Sequence, residues 1–363
     1  MKKLDKYILK SFLTTFVFCI ILFTVIVVVI DTSEKTDDFH KSGLSLWTII
    51  TEYHLGFIPH IDAMLFPLFV FIAVIFFTAK LADRSEVIAI LSSGVSFRRF
   101  LVPYWIGSFF LATVLWLAYQ FVLPRANTIW GVFQAKYIDV NFGNNENKSF
   151  LQNYYFRMDS NTYAGLRTYD TFSKTGANFF IQEFKKNELV YNLRCENIAW
   201  DTTVRKWKLT NVQQRIFNGD KETIRHNPSL LINYNFKPTD LRRDDYLKDR
   251  LSTVELNNLI KMDKMRGSED INTLLVERYN RDAIPASVII LTLIGATLAS
   301  RKVRGGSGLH LAVGVVLSVL YILFGKFSLV FATKGNFTPF LAAWLPNILF
   351  GLIAYYLYRR ASR

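Results

Sequence analysis

Residues able to do chemistry are few in this 363-residue chain, and their spacing suits none of the common reactions. The five histidines (His40, His54, His60, His226 and His310) lack the spacing by which a metal is held, and the chain has neither an H-E-x-x-H helix nor a Walker-type phosphate loop. Cys19 and Cys195 are too few for a disulfide framework or a four-thiolate zinc site. The run from Arg301 to Gly308 could offer backbone amides to a phosphate, but it lacks the preceding strand and reads as a basic turn. No catalysis, metal or cofactor is expected. Charges in unusual places remain. Asp62 and Lys326 interrupt apolar runs, where an ionised group is costly. Lys326 suits a lipid phosphate or the interface, whereas Asp62, beside His60 and near Pro59, belongs at a boundary rather than in a proton relay. Asp83-Arg84-Ser85-Glu86 has the spacing of a helix cap and precedes Val87, Ile88, Ile90, Leu91 and then Gly94. That pattern predicts a short amphipathic helix that keeps an apolar face in the membrane and shows a polar face to a partner.

These residues sit between long apolar runs. The chain is 51% hydrophobic, and a bilayer core of roughly 30 Å takes about 20 helical residues to cross. Six stretches qualify: Ser11 to Ile30, Ala63 to Ala79 (extendable back to Leu55), Phe100 to Val122, Ala283 to Ser300, Leu309 to Thr333, and Phe337 to Tyr358. The first is too long for a signal-peptide core and lacks a cleavage site, so it is read as a retained span. The net charge of +14 is unevenly spread. Lys2, Lys3, Lys6 and Lys10, then Lys80, Arg84, Arg98 and Arg99, then Arg301, Lys302 and Arg304, and finally Arg359, Arg360 and Arg363 make fourteen cations on one side. The opposite short loops carry three, Lys35, Lys41 and Lys334. The positive side is expected to be cytoplasmic, with both termini on it, so the surplus faces lipid headgroups and not nucleic acid.

The segment between the third and fourth spans must then face outward. Phe179 to Phe184, Ile198 to Trp200, Trp207 to Leu209 and Leu230 to Phe236 alternate apolar with polar residues. Turn signals at Asn144-Asn145, Lys174-Thr175-Gly176 and Asn218-Gly219-Asp220 separate them, the pattern of an antiparallel sandwich. Alternation puts Phe180 and Trp207 on one face, expected to line an acyl-chain groove. The period lengthens after Ser252 toward a helix. The expected organisation is spans one to three over 1–122 with the interfacial helix near 84–96, a β domain over 123–251, a helical connector over 252–282, and spans four to six over 283–363.

The whole pattern resembles the LptF/LptG family of lipopolysaccharide export permeases. The resemblance rests on Leu4-Asp5-Lys6-Tyr7-Ile8, on Pro59 and Pro67, on Ser85 to Ser96, on Trp207-Lys208-Leu209, on Glu277, Arg281 and Pro285, and on Leu345-Pro346. It implies an α-helical membrane protein of six transmembrane helices with an inserted extracytoplasmic β-jellyroll-like domain, in the inner membrane of a Gram-negative bacterium. It also implies an ABC-transporter permease subunit that pairs with a second such permease, binds an LptB-like ATPase and draws lipopolysaccharide through a gate between the first and fifth spans. The lipid then passes to LptC/LptA-like periplasmic bridge proteins. Carried over, Glu86 and its helix, with Arg84, Ser85, Ile90 and Gly94, become the ATPase-coupling site; Lys326, as the interruption of the fifth span, and Phe180 and Trp207, by their strand face, are the expected substrate contacts. One departure is that some members carry a lysine at the outer end of the first span, where this chain has Asp31 and Glu34. The competing class, a membrane receptor or scaffold with an outward sensing domain, needs a cytoplasmic output, and the longest inward connection is only about 20 residues.

The charge asymmetry makes the orientation testable. With Cys19 and Cys195 replaced, single cysteines at Ser93 and Ser307 should resist a membrane-impermeant thiol reagent in intact cells, and one at Asn218 should react. The reverse pattern overturns the orientation.

Overall fold

The structure, a computed structural model, describes residues 3–138, 150–186, 188–219, 221–241, 247–266, 271–301, 307–335 and 337–361. Asn144-Asn145, Asp220 and the 302–306 part of the basic turn lie outside them. Six helices are long and apolar enough to cross a membrane: Lys3–Glu34, Leu46–Asp83, Phe97–Ile138, Ile271–Ala299, His310–Lys334 and Pro339–Ala361. The chain divides into two compact units. One contains Met1–Gln134, Lys248–Leu256 and Asn272–Arg363, and the other contains Ala135–Leu247 and Asn257–Ile271.

In the helical unit the second and fourth spans form the interior, each buried over 61% of its most apolar stretch, against 11% for the first span and 17% for the fifth. The second carries Phe69, Val70, Phe71, Val74 and Ile75 as an almost unbroken buried series. The third helix does not stop at Val122, where its apolar run ends, but continues to Ile138. Its extension is specified by small residues and by contact with the second helix, not by hydropathy. Gly56 lets the two backbones meet, since a Cβ there would lie 2.5 Å from the Trp130 nitrogen and 2.6 Å from the Ala126 carbonyl. The fourth, fifth and sixth spans are tied by Asn347, whose side-chain amide donates to the Ala283 carbonyl at 2.6 Å and accepts from the Tyr321 hydroxyl at 3.0 Å. Away from water such a polar residue holds helices together because its alternative is to go unpaired.

The other unit is a six-stranded antiparallel sheet of β1 (Phe150–Arg157), β2 (Thr162–Asp170), β3 (Thr175–Lys185), β4 (Glu188–Asp201), β5 (Lys206–Asn218) and β6 (Lys221–Ile232), each strand paired with the next. It is one curled sheet and not two stacked ones. Adjacent strands lie about 4.8 Å apart, so β2 and β5 would be separated by roughly 14 Å in a flat sheet. The rings of Tyr169 and Trp207 on those strands are 6.3 Å apart, so the curl brings them together across the interior. Residues 233–237 leave β6 earlier than the alternation suggests and fill that interior. Phe236 packs on Phe156, Phe179 and Trp207, and the Trp207 indole N–H donates to the Phe236 carbonyl at 2.9 Å. The curled form and the inserted position give the jellyroll-like domain.

A second departure from regular pleating crosses the whole sheet. Asn153, Asn178 and Asn211 have left-handed backbones (φ 50°, 52° and 53°), and the register puts them in one row with Arg167, Glu196 and Pro228. Each strand slips phase at this row, so buried residues stand three apart and not two: Leu166 and Tyr169, Gly176 and Phe179, Cys195 and Ile198, Leu209 and Val212. Asparagine tolerates this backbone better than other residues with a side chain. Asn178→Val, β-branched in a left-handed position, should lower the local stability of β3 and β4 by about 1–2 kcal/mol, whereas Asn178→Gly should be nearly neutral. Amide hydrogen exchange across the two strands measures both.

Candidate coupling and substrate sites

The segment between the second and third spans forms a helix over Glu86–Ser92. Val87 is fully buried and Ile90 and Leu91 pack beside it, which docks one face on the helical core, while Ile88 and Ala89 are exposed. The cap differs from its sequence pattern. Ser85 is left-handed (φ 60°) and its side chain makes no capping hydrogen bond. Two neighbouring elements set the helix direction instead. Gly94, at φ 88°, turns the chain where a side chain would be strained, and Ser96 caps the next turn by accepting from the Arg99 amide at 3.3 Å. Arg84 and Glu86 approach to 3.9 Å, a distance at which exposed charges contribute under about 1 kcal/mol, so the Glu86 carboxylate keeps acceptor capacity. Arg99, read from sequence only as one of the cytoplasmic cations, reaches back to Asp5 on the first turn of the first span at 2.6 Å.

The five residues assigned to coupling therefore lie on one short segment. The three assigned to substrate do not lie together. Lys326 lines an apolar cavity of about 160 Å³ between the second, fourth, fifth and sixth spans, with Met64, Asn280, Tyr321 and Ala343 among its walls. That volume is well below the roughly 300 Å³ of ordinary ligand pockets, so this cavity does not hold a lipid with several acyl chains. Phe180 and Trp207 correct the alternation reading, because they occupy opposite faces of the sheet. Phe179 and Ile181 point inward with Trp207, while Phe180 lies outside against Tyr155, both rings close over Gly165, where a Cβ would meet them at 2.5 and 2.6 Å. Trp207 is wholly buried and its face is filled by the protein's own Phe236.

Sequence reasoning also missed two polar clusters. At the end of the first span, Lys35 pairs with Asp31 at 2.8 Å and with the Tyr53 hydroxyl, which itself donates to Asp31 at 2.7 Å. The Lys35 ammonium lies over the Tyr53 and Phe57 rings, so a lysine does stand at this end of the span, already engaged by its neighbours. Farther along, Thr24 donates to Asp62 at 2.6 Å, which satisfies that carboxylate from the first span.

The larger cluster centres on Arg281, 2% exposed, in the fourth span. Its guanidinium donates to the carbonyls of Lys248 and Leu251 at 3.0 and 2.9 Å, to the Thr253 hydroxyl at 3.1 Å and to Glu277 at 3.3 Å. Thr253 donates on to Gln120 at 2.5 Å. The Asp249 carbonyl accepts from Asn127 at 2.8 Å, and Asn127 meets His60 at 2.9 Å. Burial pushes the Asp249 carboxyl above the usual carboxylate range. Segment 248–253 is thus pinned to the second, third and fourth spans by one buried network. Its signal in the sequence was only Arg281 with Glu277 one turn earlier, because the other acceptors, two of them backbone carbonyls, lie about thirty positions away.

Six apolar spans and an interrupting sheet domain define a multi-pass membrane protein with an inserted β domain. The family model for the lipopolysaccharide export system permease LptF/LptG matches residues 6–360, and the chain belongs to that family. It is accordingly an inner-membrane transport subunit of the lipopolysaccharide export machinery and not an enzyme. Comparison with curated proteins gives no match.

Removing the guanidinium leaves several buried acceptors without a donor. Arg281→Met should cost about 3–5 kcal/mol, and Arg281→Lys less. Limited proteolysis should then cut between residues 248 and 256 faster in the order Met, Lys, unaltered chain. Equal rates would mean that the network is dispensable.

Proposed function

We propose that this chain is one of two permease halves that lift lipopolysaccharide from the outer leaflet of the inner membrane, driven by a separate LptB-like ATPase and delivering to an LptC/LptA-like periplasmic bridge. The family match over nearly the whole chain carries the reading, and the uneven burial of the spans supports it. The first span exposes Phe18, Ile21 and Val25, and the fifth exposes Val316, Leu320, Leu323 and Phe327. These exposed apolar faces suit a second permease with lipid held between the two, and the small volume beside Lys326 supports that reading.

In this reading both termini and the Glu86–Ser92 helix are cytoplasmic, and the helix, with Arg84, Ser85, Ile90 and Gly94 fixing its pose, presents Glu86 to a basic residue of the ATPase. Lys326 meets a lipid phosphate on the outward half of the fifth span. The sheet domain, within the 123–251 region, and the 252–282 connector relay the lipid outward. Trp207, covered by Phe236, supports the domain from within, and Phe180 offers its ring to the lipid on the outer face.

The test is lipid extraction from reconstituted vesicles containing both permeases and the ATPase. Glu86→Lys places like charges across a partly desolvated contact, costing on the order of 2–5 kcal/mol, and should abolish copurification of the ATPase and export together. Lys326→Glu should keep the ATPase bound but lose the stimulation of hydrolysis by lipopolysaccharide, and Lys326→Arg should be milder. Normal export by Glu86→Lys with its ATPase bound would sink the coupling assignment. Normal stimulation in Lys326→Glu would reduce Lys326 to an interfacial lysine.

A further inference from the structure

The Asp5–Arg99 pair is used by nothing described so far. Asp5 lies in the first turn of the first span, with a side chain 6% exposed, and Arg99 lies in the single helical turn Phe97–Phe100 that follows the Glu86–Ser92 helix, with a side chain 38% exposed. Their closest atoms are 2.6 Å apart. Around them the packing is continuous. Ile8, Phe12, Phe97, Phe100 and Tyr104 are all buried in one core, and Phe12 and Tyr104 hold their rings 6.0 Å apart. The Ser96 cap fixes the turn that carries Arg99, and the buried Val87 fixes the helix before it, so the segment from 86 to 100 is held as a block.

The first span is the least buried of the six over its most apolar stretch, and its hold on the rest of the helical unit comes through particular contacts, Phe12 on Tyr104 and Phe16 on Phe66 among them. An ion pair at its very start is one such contact, and it reaches the block on which a motor would push.

We propose that Asp5 and Arg99 are positioning residues that tie the first span to the coupling segment, so that displacement of that segment moves the span instead of being lost in the loop between them. The proposal rests on the reading of Glu86–Ser92 as the ATPase-docking helix. The unequal burial gives the tie a direction. Asp5 is the enclosed partner, and without Arg99 its carboxylate has lost a close cation in a site nearly closed to water. Arg99 is the accessible partner, and without Asp5 its long side chain can reach the interface. Loss of the arginine should therefore do more damage than loss of the carboxylate.

The experiment measures ATP hydrolysed per lipopolysaccharide molecule released, using the full permease–ATPase assembly in vesicles. A purely structural role would lower the amount of assembled complex and leave this ratio unchanged. Asp5→Asn, which preserves shape and helix-start polarity, should assemble normally and raise the ratio. Arg99→Met should raise it further, and Arg99→Lys, which retains the charge, should stay close to the unaltered chain. An unchanged ratio in Asp5→Asn overturns the tie, as does Arg99→Lys behaving like Arg99→Met. Should Arg99→Met fail to assemble, Asp5→Asn and Arg99→Lys decide alone. Loss of bound ATPase upon Glu86→Lys with an unchanged ratio in Asp5→Asn refutes the tie and spares the docking site. Retention of bound ATPase in Glu86→Lys refutes the docking site itself and, with it, the basis of the proposal.

Discussion

A guanidinium enclosed in protein must be surrounded by acceptors, and Arg281 obtains most of its own from a stretch of chain that has no regular ladder to belong to. The benefit is mutual. Residues 248–253 would otherwise bring bare carbonyls into a helical bundle, and the fourth span would otherwise carry an unpaired charge. Because the polypeptide leaves the helical unit near Gln134 and returns at Lys248, this network adds a polar join between the two parts of the bundle's sequence to the apolar packing of the second span on the fourth. Glu277 one turn earlier, Thr253, Gln120 and the His60–Asn127 pair extend the same solution, in which each polar group is satisfied by another that could not remain alone.

The same rule accounts for the other charges inside the bundle. Asp62 has Thr24, Lys35 has Asp31 and Tyr53, and Asp5 has Arg99. Lys326 differs, for no ion pair holds it among the described residues, and it lines an apolar cavity. In a membrane protein, cations already engaged by carboxylates hold the architecture, and Lys326 stands outside that arrangement.

The sequence made much of this visible. Six spans were legible because twenty uncharged residues in a row have few other fates, and the interfacial helix was legible from Val87, Ile90 and Leu91. Span ends were not, because the extension through Arg125, Asn127 and Gly131 is helical by contact with Gly56 and not by hydropathy. Strands were legible as alternation, but alternation assumes that the phase never slips. Three left-handed asparagines break it, which is why counting by twos put Phe180 beside Trp207 when a sheet's thickness divides them. The Asp83-to-Glu86 cap spacing misled for a similar reason, since the residue types were right for a cap and the left-handed backbone at Ser85 was not.

The asparagine row also shapes what can touch the sheet from the side. Among the described residues β1 and β6 have open edges, and such an edge is a template for any passing strand. Here each edge runs straight only as far as the row, then continues with its pleat reversed in phase, and on β6 the row falls at Pro228, which has no N–H to offer. An ordinary flat strand can zip along half of such an edge and must then let go. A sheet bearing the same slip at the same height can follow it from end to end. The edge thus discourages indiscriminate aggregation while remaining open to a partner built to the same profile.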